Sequence, residues 1–451
     1  MKNFLKFSLL AFLAIGMVSC DDLREEFNTN PNDPTDAPGN IMMPGVVTGT
    51  HFFHSAESAR TAGMWAGYFT GSDRQYISYQ NYDVTAGDFD SPWRVLYTEI
   101  FDVAQTAIEK GTESNQRDIV GVASICQAFA MGTAADLWGD VPFNQAGDPI
   151  ENPNPVYDAQ RDVYSGVQAL LDTGIENAAG STAYAGSTTL GDWGEVANTL
   201  KARNYLHVGD YANAISAAAN GISSPANNWM GLHDAGTLTA WNVYYNFLEF
   251  ERNGYMTANS AYLVTLLDTI PGNTAYRGDD KTDESARFAW YYIKQPEVYG
   301  AYADPNAVDG MFTPGASFPL LTYVENELIA AEANARSGNQ DMALTHLNNA
   351  RAANDARYGD GMGSAYAAYE MGDFDDDAAL LAEILEERYV SLYGQIEGFT
   401  DVRRTDNAVG VPANSGSTIP QRFFYPQSEI NANDNAPSPI PGLFDPTPIN
   451  N

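Results

Sequence analysis

Two pairs of helical patterns, each joined by a glycine, constrain the fold of this chain more than any other feature. One pair surrounds Gly209 in VANTLKARNYLHVGDYANAISAAANGI, and the other surrounds Gly338 in ENELIAAEANARSGNQDMALTHLNNAR. In both pairs, alanines at helical spacing allow two helices to approach closely, and glycine followed by Asp or Asn makes a tight turn. Because such hairpins bury their apolar stripes only by packing on one another, the sequence predicts a mainly α-helical scaffold with little β-structure.

Helical patterns recur along the chain, and long irregular stretches separate them. Helices are predicted at about 51–70, 92–110, 116–138, 159–178, 193–207, 210–222, 320–337, 340–353 and 377–393. The hairpins are tetratricopeptide (TPR)-like, although their spacing is too irregular for a regular repeat array. Aromatic, Gly- and Asn-rich stretches cover 223–260 and 271–319. Since long loops on a rigid scaffold commonly carry function, we expect ligand-binding loops in these stretches.

The first twenty residues have the composition of an export signal. Two lysines precede an apolar run from Phe7 to Val18, which is too short to cross a bilayer. The run ends at Ser19 and Cys20, and a small residue followed by cysteine resembles the cleavage site of a bacterial lipoprotein. We therefore expect removal of residues 1–19 and lipidation of Cys20. Ordinary secretory cleavage, with Cys20 left as a thiol, is the alternative.

The rest of the chain divides into a tether and a folded domain. Residues 20–48 contain the turn-rich run NTNPNDPTDAPGN, which favours neither helix nor strand, so we expect them to link the lipid to the domain. Residues 49–451 are predicted to form one helical domain, with loop insertions near 223–319 and an irregular C-terminal segment over 398–451. This length is compatible with a single large domain.

The charge balance excludes several classes of function. The chain has 58 Asp and Glu against 23 Lys and Arg, and its formal net charge of −35 repels phosphate backbones and anionic lipid headgroups. We therefore expect no nucleic-acid binding. With 44% apolar residues the chain can bury a large core. Cys126 lies in a helical pattern and is predicted to be a buried thiol.

No pattern of catalytic or metal-ligating residues stands out. His51, His54 and Glu57 lie on adjacent helical turns, but their spacing differs from HExxH and a fourth ligand is missing, so a surface or packing role is favoured. No G-x-S-x-G nucleophile elbow is present. With 58 acidic residues, glycosidase-like carboxylate pairs could be drawn anywhere and carry no information. We therefore predict no enzymatic activity and no cofactor, and we assign no metal site, while calcium on surface carboxylates stays an open alternative.

Aromatic residues outside helical periodicity give the stronger chemical signal. A sugar ring stacks its C–H face on an aromatic face, while its hydroxyls need Asn, Gln, Asp or Arg partners. Such aromatics lie among polar residues in the loops, and we predict that the ligand site includes Tyr76, Tyr79, Tyr82, Trp229, Trp241, Tyr244 and Tyr245. The alternative is that these rings fill the core beneath the loops. For Phe288, Trp290 and Tyr292, which alternate as on a strand, that core role is favoured.

Six segments, in order along the chain, match the motifs of one protein family. They are FNTNPNDPT (27–35), AADLWGDVPFNQA (134–146), WGEVANTLKAR (193–203), ENELIAAEANAR (325–336), ILEERYVSLYGQIEGFTDVRRT (384–405) and PQRFFYPQSEINAN (420–433). On these segments the chain resembles the SusD/RagB family, the lipid-anchored nutrient-binding outer-membrane proteins of Bacteroidota.

The motif residues themselves are expected to be structural. Gly139 is expected to end a helix. Three arginines are expected to brace the C-terminal segment by pairing with acidic side chains: Arg403, Arg404 and Arg422 with Asp136, Asp401 or Glu429. The segments that identify the family are therefore not expected to bind the ligand.

The resemblance implies a function. A SusD-like protein would sit on the cell surface, attached to the outer membrane through a lipid, and bind a nutrient glycan without covalent chemistry. It would deliver this oligo- or polysaccharide to a SusC-like TonB-dependent transporter. A peptide ligand is the main alternative, although the few Lys and Arg suit peptide termini poorly. A surface-anchored glycoside hydrolase is a less favoured alternative, as is a pure TPR scaffold.

Overall fold

The computed structural model describes residues 37–186, 190–269, 273–294 and 303–450. The predicted signal peptide, Cys20 and the first family motif (27–35) lie outside the described residues. Their predicted roles therefore remain predictions.

Helices form most of the described structure. The α-helices are α1 (Gly39–Ser55), α2 (Glu57–Trp65), α3 (Gln75–Gln80), α4 (Asp90–Arg94), α5 (Asp102–Glu113), α6 (Arg117–Trp138), α7 (Gln160–Ala178), α8 (Trp193–His207), α9 (Tyr211–Ala218), α10 (Val243–Tyr245), α11 (Tyr262–Leu267), α12 (Ser285–Tyr291), α13 (Tyr323–Arg336), α14 (Gln340–Tyr358), α15 (Asp377–Ser391), α16 (Ile396–Arg404) and α17 (Gln427–Ala432). Wider π-helical turns, Val95–Phe101 and Asn246–Glu251, continue α4 and α10.

The strands are short and tie loops together in pairs. They are β1 (Thr70–Gly71), β2 (Val141–Pro142), β3 (Tyr157–Asp158), β4 (Trp229–Gly231), β5 (Met256–Thr257), β6 (Tyr292–Lys294), β7 (Ala303–Pro305) and β8 (Phe318–Leu321). Four antiparallel two-stranded ladders result, namely β1–β5, β2–β3, β4–β8 and β6–β7. The predicted mainly α-helical fold with little β-structure is confirmed.

The two glycine-joined hairpins form as predicted. Gly209 joins α8 to α9 with φ of +75°, and Gly338 joins α13 to α14 with φ of +78°, values that L-residues with a side chain rarely adopt. Side-chain oxygens cap the helix starts, because Asp192 accepts hydrogen bonds from backbone N–H groups of α8 and Thr322 accepts one from α13. The second hairpin packs on the first through α13, which contacts α8 and α9.

Helix α6 forms the centre of the core. By length and composition it could cross a membrane, but 94% of its apolar window is buried inside the protein, as in the core helix of a soluble domain. Cys126 lies on this helix and is fully buried, and burial raises the pKa of its thiol to about 12. The predicted buried thiol is therefore confirmed. Gly139 follows the helix with φ of +84° and ends it as expected.

Two predicted boundaries are wrong. Helix α1 begins at Gly39, so residues 39–48 belong to the folded domain and not to the tether. The Pro- and Gly-rich composition suggested a linker, but Met43 and Val46 are fully buried, and packing on α5 and α6 overrides the weak local propensity. At the other end, α16 covers 396–404, so the irregular segment begins after Arg404 and not at residue 398.

Buried ion pairs join α16 to the hairpins. Arg388 of α15 donates to Glu397 (2.8 Å) and Asp401 (2.6 Å) of α16. Arg404 of α16 forms a two-point contact with Glu332 of α13, at 2.6 and 2.8 Å. All five side chains are almost fully buried, so these contacts fix the relative positions of three helices. Arg203 and Glu325 form a further pair at 2.6 Å. We call these seven side chains the ion cluster.

The braces of the C-terminal segment differ in part from the prediction. Arg404 pairs with Asp401 at 2.6 Å as expected. Arg403 instead donates to the backbone carbonyls of Asp136 (2.8 Å) and Gln421 (2.9 Å), and Arg422 donates to the carbonyl of Trp138. The segment after α16 is thus held by guanidinium–carbonyl contacts, which leave the carboxylates to other partners.

His207, at the end of α8, contacts two buried carboxylates, those of Asp136 and Glu397. Its Nδ1 lies 2.9 Å from Asp136 and its Nε2 lies 2.8 Å from Glu397, and Tyr164 donates a hydrogen bond to Asp136. The three side chains Asp136, His207 and Glu397 are close enough together to suggest a metal site. However, both ring nitrogens already face carboxylates. Burial alone would lower the pKa of His207, but the two carboxylates outweigh it and raise the pKa to about 9.

Replacing His207 with Gln tests this buried charge. Because the folded pKa of about 9 lies above the ordinary value of 6.5, the protonated ring contributes stability that is fully present below pH 6.5 and is lost as the pH rises through 9. This rise in the pKa of His207 is equivalent to a contribution of about 3 kcal/mol to the free energy of unfolding. We expect the free energies of unfolding of wild type and His207→Gln, from urea titrations, to differ most in mild acid and to converge at alkaline pH.

His346→Gln is the matched control, because His346 also pairs with a carboxylate but is partly exposed. This variant should change stability little at any pH. A His207→Gln difference that did not depend on pH would contradict a role for the charge.

Candidate ligand-binding face

Most of the loop aromatics that the sequence suggested as ligand contacts are buried. Trp229 is only 1% exposed and packs against Phe129 and Trp193, with ring centroids 5.6 and 5.1 Å apart. Tyr244 is fully buried, stacks on Phe312 at 4.4 Å and donates to the carbonyl of Gly394 at 2.7 Å. Neither ring presents a face to a ligand, and the structure corrects the prediction for both.

The three tyrosines of the segment 75–82 are buried as well. Tyr76 accepts a hydrogen bond from Arg60 at 2.9 Å, Tyr79 donates to Asp88 at 3.2 Å, and Tyr82 accepts one from the backbone of Asn414 at 2.7 Å. Each of the three is at most 8% exposed. The segment 75–82, predicted as a loop, contains α3, and its rings pack towards the interior. These three residues are therefore also corrected to structural roles.

The core role favoured for the aromatic segment around residue 290 is confirmed for two of its members. Phe288 and Tyr292 are buried, and the Tyr292 hydroxyl donates to the carbonyl of Tyr68 at 2.9 Å. Trp290 is partly exposed, with Arg357 over its ring at 5.6 Å.

Trp241 and Tyr245 do reach the surface, and Phe250 joins them. The ring centroids of Trp241 lie 5.2 Å from Tyr245 and 5.9 Å from Phe250, both in edge-to-face geometry. Phe250 is 63% exposed. The indole N–H of Trp241 donates to the carbonyl of Ala235 at 3.1 Å, which fixes the ring orientation. These three rings form the aromatic corner.

Asn242 fixes the backbone that carries the aromatic corner. Its side-chain oxygen accepts hydrogen bonds from the backbone of Tyr244 (2.9 Å) and Tyr245 (3.2 Å), and its amide group donates to the carbonyl of Ala316 (2.8 Å). Asn242 thus starts α10 and ties it to the loop before β8. These hydrogen bonds hold the aromatic corner in position.

Residues of the same helical segment also line a cleft of about 590 Å³. Leu248 and Glu249, from the π-helical turn that follows α10, form one wall of it. The remaining walls come from strands of the β1–β5 and β6–β7 ladders and from the residues next to them. We call it the polar cleft, because hydroxyl, amide and carboxylate side chains line much of it: Ser72, Glu249, Asn253, Thr257, Asn259 and Asp304.

Hydrogen bonds between the two loops set the shape of the polar cleft. The hydroxyls of Ser72 and Thr257 lie 2.6 Å apart, and the backbone N–H of Ser72 donates to the carbonyl of Tyr255 at 2.8 Å. Tyr255 is partly exposed beside the cleft, with the guanidinium groups of Arg74 and Arg252 5.8 and 5.9 Å from its ring. The face thus combines aromatic rings with donors and acceptors, which is what a sugar ring requires.

The histidine pattern of α1 serves packing, in line with the role favoured for it. His54 stacks on Phe129 at 3.6 Å and contacts Thr133 at 2.9 Å, and burial lowers its pKa to about 3. His51 packs instead against His233 at 4.8 Å. The two rings therefore face different neighbours.

Sequence reasoning missed the polar lining of the cleft and Phe250. Ser72, Thr257 and Asp304 belong to no motif and lie far apart in the sequence, so only the fold brings them together. The one usable signal was the polar run NGYMTANS (253–260), which interrupts an aromatic stretch.

A hairpin scaffold that supports a loop-built cleft defines a class of helical ligand-binding proteins. Within this class, a family model for SusD-like proteins, described as starch-binding and associating with the outer membrane, matches residues 31–426. Since this match covers most of the chain, the protein belongs to the SusD-like family. The resemblance inferred from the six motifs is confirmed.

Solved structures share the fold. A SusD-like protein from Bacteroides thetaiotaomicron is 18% identical, with 88% of this chain and 93% of that chain covered and a TM-score of 0.69. A SusD homolog from Parabacteroides distasonis gives the same four values. A chitin-binding protein is 20% identical over 88% of this chain and 94% of its own, with a TM-score of 0.61. No curated protein sequence matches the chain.

Two tryptophans of one loop region should respond differently to truncation. Trp229→Ala removes a buried ring and should lower the free energy of unfolding by about 3–5 kcal/mol. Trp241→Ala removes a partly exposed ring and should cost at most about 1 kcal/mol. Thermal and urea unfolding measure both values. An equally large loss for Trp241→Ala would assign that ring to the core and not to the ligand-binding face.

Proposed function

We propose that this protein binds a neutral glycan across the aromatic corner and the polar cleft. The observation that carries the proposal is that one helical segment, 243–251, carries two rings of the aromatic corner, Tyr245 and Phe250, and also two residues that line the polar cleft, Leu248 and Glu249. A glycan chain presents the matching surfaces, apolar ring faces and hydroxyl edges. The family description and the chitin-binding relative both concern glycans, which supports this ligand class.

The charges near the face favour a neutral ligand. Glu249 and Asp304 line the cleft, while the nearby cations are Arg74 and Arg252, which lie against the Tyr255 ring. A glycan hydroxyl can donate to carboxylates, whereas an anionic group would meet repulsion. In this proposal the protein acts by capture and delivery, without covalent chemistry.

The proposal extends to location and partner. The SusD-like family associates with the outer membrane by its description. We propose that a lipid on Cys20 attaches the protein there, facing outwards, and that it passes the glycan to a SusC-like TonB-dependent transporter. The residues before Gly39 would then be the only link between the lipid and the folded domain.

Truncating the face should weaken glycan binding without unfolding the protein. We expect Trp241→Ala and Asn253→Ala to weaken binding on the order of tenfold, because each removes a stacking or hydrogen-bonding contact. Calorimetry against α-glucan, β-glucan, fructan, mannan and chitin oligosaccharides, with peptides alongside, measures the effect.

Met342→Ala is the control for this experiment, since Met342 is exposed on α14 in the second hairpin. Its affinity should equal that of wild type. Binding of peptides but of no glycan would overturn the proposed ligand class, and release of shortened oligosaccharides would show a hydrolase.

The lipid and the transporter can be tested together in cells. Wild type should incorporate labelled palmitate, fractionate with the outer membrane and co-purify with a large β-barrel. Cys20→Ser should lose the label and the membrane fraction. Cys126→Ala should keep both, because Cys126 is buried and inaccessible to acylation. Membrane attachment of Cys20→Ser would contradict the lipid anchor, and absence of a co-purifying barrel would contradict the transporter partner.

A further inference from the structure

A second cavity, of about 370 Å³, lies where two family motifs meet. Its walls come from the helical run through α4 and the start of α5, from the segment 142–155 and from α17. It shares no lining residue with the polar cleft. We call it the proline pocket, after four lining residues: Pro142, Pro149, Pro153 and Pro155.

Hydrogen bonds hold the walls of the proline pocket together. The Tyr97 hydroxyl donates to the carbonyl of Pro142 at 2.7 Å. Ser428 donates from both its backbone N–H and its hydroxyl to Asp90, each at 2.8 Å. Because these contacts join segments far apart in sequence, the pocket is formed in advance, which lowers the entropy cost of binding.

Further contacts fix the third wall. Glu429 accepts hydrogen bonds from the Tyr157 hydroxyl (3.1 Å) and from the Asn433 amide (2.8 Å), and Asn433 also donates to the carbonyl of Pro155 (2.9 Å). Helix α17 is therefore locked to the proline-rich segment, and not only to the helical core.

The lining has the composition of a ligand site. Tyr97 is the partly exposed ring of the lining, and it packs on the buried Trp93, with ring centroids 4.8 Å apart and planes tilted by 49°. Prolines and alanines add rigid apolar surface, and a few polar side chains, among them Gln145 and Asn152, interrupt it. Pockets that are mainly apolar with a few placed polar groups are typical of small-molecule sites.

The charges in the pocket select a ligand that donates hydrogen bonds. Asp102 lines the pocket and is partly buried, and within the described residues its carboxylate has neither a hydrogen bond nor an ion pair. The nearest cation of the lining, Arg94, is paired with Glu99 at 2.6 Å. An unpaired carboxylate with no free cation beside it disfavours an anionic ligand and suits hydroxyl donors.

We propose that the proline pocket is a second carbohydrate site, which takes a ring or disaccharide of a neutral glycan against Tyr97 with a hydroxyl donated to Asp102. The choice of sugar as the ligand class rests on the proposed function, whereas the position of the site does not. Two sites on one chain would hold a polysaccharide at two points, which raises its apparent affinity above that of a short oligosaccharide.

Filling the pocket from its exposed edge tests the proposal without disturbing the core. Ala432 is exposed on α17 and lines the pocket, so Ala432→Trp should block it. Asn431→Trp is the matched control, because the neighbouring Asn431 is exposed but does not line the pocket. Calorimetry with tetrasaccharides from the five glycan classes named above should give two sites per chain for wild type and Asn431→Trp, and one for Ala432→Trp.

A second variant covers the case in which Ala432→Trp fails to fold, which circular dichroism would reveal. Asp102→Ala removes the carboxylate with little change in volume, and it should weaken the pocket site by about fivefold. Trp241→Ala should weaken only the other site.

The outcomes separate the two proposals. Unchanged stoichiometry and affinity in Ala432→Trp and Asp102→Ala, with binding lost in Trp241→Ala, would overturn the pocket and leave the proposed function intact. Loss of one site in Ala432→Trp with no effect of Trp241→Ala would support the pocket and overturn the assignment of the first site. Wild type that binds none of the tetrasaccharides would overturn both.

Discussion

The buried contacts between arginines and carboxylates are the interaction on which the rest of this structure depends. Arg388 and Arg404 join α15 and α13 to α16, and removing one partner from such a pair leaves an uncompensated buried charge, at about 3–5 kcal/mol. The turn between α15 and α16 is thereby fixed, and its Gly394 carbonyl receives the hydroxyl of Tyr244. Tyr244 lies on α10, beside the aromatic corner. The ion cluster is thus connected to the aromatic corner through one buried tyrosine.

A second group of buried arginines positions the other wall of the face. Arg287, on α12, contacts Glu387 at 2.9 Å, and Arg277 contacts the same carboxylate at 3.0 Å. Helix α12 leads directly into β6, which borders the polar cleft. The chain has only 23 basic residues, and the arginines of the two groups form ion pairs inside the protein. These five arginines are engaged inside the protein and are not available to a ligand, which supports the neutral glycan proposed above.

The sequence predicted the scaffold well and the face only in part. Alanine spacing and the turn glycines report local geometry, so the hairpins around Gly209 and Gly338 form as expected. Burial of an aromatic ring in a loop depends on distant partners. Trp229 is buried because the buried rings of Phe129 and Trp193 lie next to it. Trp241, twelve residues later, packs against the partly exposed Tyr245 and the exposed Phe250 and reaches the surface. The first part of α1, before residue 51, was missed for the same reason, because long-range packing overrides its proline and glycines.

The residues that hold the scaffold together differ from those that line the polar cleft. The ion cluster lies within the family motifs, while the lining of the polar cleft lies outside them. Substitutions at the cleft can therefore change the ligand without a loss of buried ion pairs. The proline pocket differs, because Ser428 and Pro142 belong to motifs and also form its walls. A site built from residues that the fold requires cannot vary as freely. The proposed pocket site is therefore more constrained by the fold than the polar cleft is.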